Sequence, residues 1–88
     1  MAACPTVTFT DISANVIESL RGHLEDEGLK VPPGNSGTIK GRVATLEFEW
    51  NEESATLTVT VTDKPWILPC EAIMGRLRVA VAACGGKF

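Results

Sequence analysis

Two stretches of the chain alternate between apolar and polar residues. In residues 44–50, Ala44, Leu46, Phe48 and Trp50 alternate with Thr45, Glu47 and Glu49. In residues 57–62, Leu57, Val59 and Val61 alternate with Thr58, Thr60 and Thr62. A period of two sends successive side chains to opposite faces of a strand, so each segment has one apolar and one polar face. The polar interval 51–56 between them predicts a hairpin. Matching the apolar faces sets its register: Trp50 opposite Leu57, Phe48 opposite Val59, Leu46 opposite Val61, with Asn51 and Thr56 closing a loop of residues 52–55. On the polar face Glu49 is expected to meet Thr58, Glu47 to meet Thr60 and Thr45 to meet Thr62.

Residues 6–10 alternate over a shorter span, with Val7 and Phe9 on one face, and predict a first strand. It can join either edge of the hairpin; antiparallel pairing with 57–62 is preferred. Asp11 or Ser13 then caps a helix running to about residue 27. Ile12, Val16, Leu20 and Leu24, with Ile17 beside them, form its apolar stripe, and Glu18, Arg21, Glu25 and Asp26 fall opposite. Gly28 stands where a left-handed cap is wanted, and Leu29 can close back on the last turn. Residues 31–37, with Pro32, Pro33, Gly34 and Gly37, are a loop. Ile39 is apolar at an odd position, whereas the later inward residues are even. A β-bulge near Gly41, Arg42 and Val43 is expected to absorb the difference.

A second helix is predicted over 69–83, with Pro69 as a natural first residue and Glu71 well placed for the dipole. Its buried stripe is expected to be Cys70, Ile73, Leu77, Val81 and Cys84, with Ala80 alongside, and Arg76 and Arg78 face solvent. Gly85 and Gly86 end it. The order strand, helix, strand, strand, helix defines an α+β fold: a two-layer sandwich, an antiparallel sheet of three to four strands with both helices on one face. The 88 residues are expected to form a single domain, 1–88, burying roughly 60–65% of the unfolded chain's surface.

Charge narrows the partners. The net charge is -3 and the eight basic residues are scattered, whereas a nucleic-acid surface needs clustered Lys and Arg. The same balance disfavours an anionic membrane surface, and no apolar run reaches the roughly 18–20 residues that span a bilayer. The first five residues lack a basic and apolar leader, so no signal peptide is expected. Three cysteines are too few for a disulfide scaffold, and a reduced, cytoplasmic protein is the expectation.

Cys70 is the sharpest chemical candidate. At a helix N-terminus, unpaired backbone amides stabilise a thiolate, as a nucleophilic or redox cysteine requires. Its place on the apolar stripe favours simple packing instead, and no Cys-X-X-Cys motif accompanies it. Cys70 and Cys84 on one helix stand about 21 Å apart, too far to bond; Cys4 can reach one of them or neither. His23, the single histidine, is a weaker catalytic candidate and sits at the edge of a helical stripe. Glu25, Asp26 and Glu27 diverge by about 100° each and do not converge on a cation, and no metal or cofactor is expected. Glu47 and Glu49 lie on the open polar face, and the 34–37 loop lacks the Lys-Ser/Thr of a phosphate loop.

The segment 64–69 places Trp66, Ile67 and Leu68 between two prolines in what should be a connection. Trp66 either plugs one end of the core or stands out as a binding anchor with Ile67. Trp50 poses the same choice. The expectation is a small non-catalytic binding or assembly module with a protein partner or a second copy, hence a possible homodimer; the alternative is a small thiol or redox enzyme acting through Cys70.

Overall fold

Four antiparallel strands form one sheet, and two helices cover its apolar face. The computed structural model describes residues 3–41 and 44–87. The elements follow the chain as β1 (Val7–Phe9), α1 (Ala14–Asp26), β2 (Ser36–Lys40), β3 (Thr45–Asn51), β4 (Thr56–Asp63) and α2 (Cys70–Ala83). The sheet order is β1-β4-β3-β2. This is the α+β sandwich that the alternating segments predict, with four strands. The added element is β2, which is a strand in its own right.

The central hairpin has the predicted register. Trp50 opposes Leu57, Phe48 opposes Val59, Leu46 opposes Val61, and Asn51 and Thr56 close the loop. The outer pairs Glu49 with Thr58 and Glu47 with Thr60 also form. Thr45 departs from expectation and pairs with Asp63 rather than Thr62, because the register shifts between Thr45 and Leu46. Thr62 stays tied to the ladder through its hydroxyl, which donates to the Thr45 carbonyl at 3.3 Å. β1 joins β4 antiparallel, Val7 opposite Val59 and Phe9 opposite Leu57.

Ile39 is buried and opposes Leu46. Its odd position follows from chain reversal between β2 and β3, the same reversal that sets Leu57 against Trp50. Of the expected bulge near Gly41, Arg42 and Val43, the last two lie outside the described residues.

The helices are set by their ends. Ser13 caps α1, its hydroxyl accepting from the Val16 N–H. Ile12 precedes the cap rather than lying in the helix, and it shares a buried cluster with Ile17 of the second turn, a hydrophobic staple. At the other end Gly28 adopts φ +88°; its N–H donates to the Glu25 carbonyl and that of Leu29 to Leu24. Gly85 ends α2 in the same way, with φ +98° and with the Gly86 N–H donating to the Val81 carbonyl. Such paired bonds satisfy carbonyls left open at a helix end, and the left-handed residue between them favours glycine.

The main core joins Phe9, Ile17, Leu20, Ile39, Phe48, Val59 and Val81, drawn from both helices and all four strands. On α2 the buried residues are Met74, Ala80 and Val81. Cys70, Ile73, Leu77 and Cys84 of the expected stripe are half-buried. Met74 packs with Cys4 and Val61 in a second buried cluster under the start of α2.

Candidate functional site

The segment between β4 and α2 is the most exposed apolar feature among the described residues. Pro65 and Leu68 form a turn in which the Leu68 N–H donates to the Pro65 carbonyl at 3.1 Å. Trp66 and Ile67 are its two central residues and project outward, 91% and 74% exposed. The ring of Pro65 fixes that residue's own φ at the entry to the turn, and Pro69 biases Leu68 away from helix. Two prolines four residues apart thus hold the tip open. Leu68 turns back and is half-buried.

The base of this turn is clamped. β4 ends at Asp63, and α2 begins at Cys70 with Pro69 as its N-cap residue. The sulfur of Cys70 is bonded to that of Cys4, with Cα atoms 5.7 Å apart. Cys4 is in turn held against β4: the N–H groups of Ala3 and Cys4 donate to the Val61 carbonyl at 2.7 and 3.3 Å. The connection therefore leaves a strand and enters a helix that are both fixed to the same N-terminal segment.

Cys70 accordingly carries no thiol in this structure. Cys4, its partner, is 3% exposed among Val61 and Met74. Cys84 is the free cysteine and is half-buried. His23 lies elsewhere: its Nε2 stands 3.7 Å from Glu27 Oε1 on the solvent side of α1. The structure pairs Cys70 with Cys4 and His23 with Glu27, and it does not bring the two candidates together. Among the described residues no group of three or more His, Cys, Asp or Glu is placed to hold a metal ion. No helix there is long and apolar enough to cross a membrane.

The two tryptophans have opposite fates. Trp50 is 9% exposed, and its indole N–H donates to the Ile12 carbonyl at 2.8 Å. It closes the hairpin end of the core. Trp66 has no such role.

The sheet's uncovered face is polar. It forms a shallow saddle lined by Ser36, Thr38, Glu47, Glu49, Thr58 and Thr60, with the hydroxyls of Thr6 and Thr60 2.8 Å apart beside it. Inside the core, the space between Phe9, Leu20, Val31 and Phe48 amounts to about 30 Å³. That is room on the scale of one or two waters, far below the roughly 300 Å³ of a small-molecule site.

Two features escape reading from residues alone. Arg21, expected on the polar side of α1, donates to the carbonyls of Pro32, at 2.8 Å, and Gly34, and so ties the Pro-Pro loop to the helix. Its position four residues after Ile17, beside the apolar stripe, was the available signal. The Cys4–Cys70 bond left a weaker one, since three cysteines permit several pairings.

No family model, curated protein or solved structure significantly matches the chain.

Proposed function

We propose that the chain is a small non-catalytic binding or assembly module that contacts a protein partner through Trp66 and Ile67. The exposure of these two residues on a clamped turn carries the reading. A large aromatic and a β-branched residue held out in solvent contribute nothing to the core. Buried in a partner's apolar pocket, a tryptophan is the residue type that most often dominates binding. The short turn, its prolines and the fixed ends reduce the conformational freedom lost on docking. The net charge of -3 and the scattered basic residues disfavour a nucleic-acid partner. A reduced, cytoplasmic setting follows from the low cysteine count, but the disulfide argues for an oxidising compartment, where such bonds persist. We favour the second.

The test is a photo-crosslinking residue placed at position 66, and at the exposed hairpin position 53 as control, in the cells that make the protein. The expected result is a discrete adduct from 66 and none from 53, lost when Ile67→Asp is added. Trp66→Ala should leave stability within about 0.5 kcal/mol of the parent, as an exposed site does. Equal labelling from both positions, or a large loss of stability in Trp66→Ala, would remove the basis of the proposal.

A thiol or redox enzyme acting through Cys70 is the second reading, and the bond to Cys4 is the observation in its favour. Once reduced, Cys70 would occupy the first position of α2, where open amides stabilise a thiolate. Alkylation of the reduced protein well below pH 8, faster at Cys70 than at Cys84, would support it; slow reaction at both would end it.

A further inference from the structure

The two edges of the sheet are treated differently. β1 is three residues long, and the tail crosses its end: Thr10 and Lys87 exchange N–H to carbonyl bonds at 2.7 and 2.9 Å. β2 is five residues long, and nothing among the described residues crosses it. Its ladder with β3 is marked at both ends. The Trp50 N–H donates to the Asn35 carbonyl at 2.6 Å, and the Gly41 N–H to the Ala44 carbonyl at 2.9 Å. Hydrogen-bonded pairs alternate along an antiparallel ladder, so Gly37 and Ile39 bond inward to β3. Ser36, Thr38 and Lys40 therefore turn their N–H and carbonyl groups outward, and all three are exposed. An open row of this kind is a template for another strand.

We propose that the occupant is a second copy of this chain, pairing β2 with β2 antiparallel about a twofold axis at Thr38 and making one continuous eight-stranded sheet. The charges choose this register. With Thr38 opposite its own copy, each Lys40 falls opposite Ser36 of the other chain. Ser36 is paired within its own chain with Glu49. Each Lys40 thus lies two strand spacings, about 9.6 Å, from the other chain's Glu49 on the same polar face. Lysyl and glutamyl side chains together bridge that span. A lysine on an edge strand ordinarily deters pairing; here the copy supplies its counter-charge. The two Glu47 residues, each beside Thr38, end up three spacings or about 14 Å apart, beyond the screening length at physiological salt.

This inference does not rest on the Trp66 surface, which belongs to the connection between β4 and α2 rather than to β2. Sedimentation equilibrium of the full chain, from micromolar to sub-millimolar concentration, should show a monomer–dimer equilibrium. Amide hydrogen exchange should slow with concentration at Ser36, Thr38 and Lys40. Thr38→Pro removes an outward N–H that the ladder does not use and should give a monomer with an unchanged circular dichroism spectrum. Lys40→Glu should weaken dimerisation about tenfold, and adding Glu49→Lys should restore it. A chain that stays monomeric throughout, or a dimer that survives Thr38→Pro with those amides unprotected, overturns the proposal. A dimer abolished by Trp66→Ala but not by Thr38→Pro overturns it too, and assigns self-association to the exposed turn instead.

Discussion

Ala55 shows how one residue takes on a conformational cost for the sake of a network. It ends the hairpin loop in the left-handed region, with φ 53°. In that conformation its carbonyl accepts from the Ile12 N–H at 2.8 Å, while the Ile12 carbonyl accepts from the Trp50 indole. The buried peptide groups of Ile12 are thus satisfied from two sides of the hairpin. An L-residue at such a φ costs about 1–2 kcal/mol. Glycine removes that cost and gives back about 0.5–1 kcal/mol through the greater freedom of the unfolded chain. Ala55→Gly should therefore stabilise the protein by roughly 0.5–1 kcal/mol, seen as a rise of a few degrees in the thermal midpoint. A lower midpoint would mean that the Ala55 methyl group packs more usefully than its half-exposed position suggests.

At the scale of elements, the division of each strand into faces makes the sharpest contrast. Phe48 is buried in the core and its neighbour Glu47 is exposed on the open sheet face. Phe48→Ala should destabilise by about 3–5 kcal/mol and Glu47→Ala by less than about 0.5 kcal/mol, measured by urea denaturation. Equal effects would mean that the faces are reversed. This part of the fold was legible because burial acts on every second residue, so the pattern repeats along β3 and β4 and one assignment supports the next. The caps at Ser13, Gly28 and Gly85 were legible for a similar reason: a local conformation demands a local residue type. β2 was harder to see. It offers a single buried large residue, Ile39, and Gly37 leaves its other inward position blank. The stripe of α2 lacks one residue in the sequence reading, Met74, since the helix's small and apolar residues run nearly all round and only contact with Cys4 and Val61 selects it. The exposed turn was legible as a choice with two answers, because Trp66 suits both a core and an interface; only the turn's direction decides. Arg21 and the Cys4–Cys70 pair depend on long-range approach and leave no periodic trace.

The disulfide acts on the whole molecule because it joins residues 66 apart in a chain of 88. Closing so long a loop in the unfolded state removes entropy worth about 4 kcal/mol in the chain-entropy model, within the 2–5 kcal/mol found on removing native bridges from small domains. An 88-residue protein has a total stability of only roughly 4–13 kcal/mol. The bond is therefore a large share of what separates folded from unfolded. It also decides local order, since it anchors the first residue of α2 to the strand that Cys4 hugs, and the Trp66 turn hangs between those anchors. Urea denaturation with and without a strong reductant should show a loss of about 2–4 kcal/mol on reduction, and a Cys4→Ala/Cys70→Ala protein should match the reduced one. Cys84→Ser should retain the sensitivity to reductant, because Cys84 stands outside the bridge. Hydrogen exchange should report faster opening of the α2 N-terminus in the bridgeless protein, ahead of the β3–β4 hairpin, whose ladder does not involve either cysteine. If reduction leaves the urea midpoint unmoved, the bridge does not hold this molecule together, and the rigidity assigned to the exposed turn loses its physical cause.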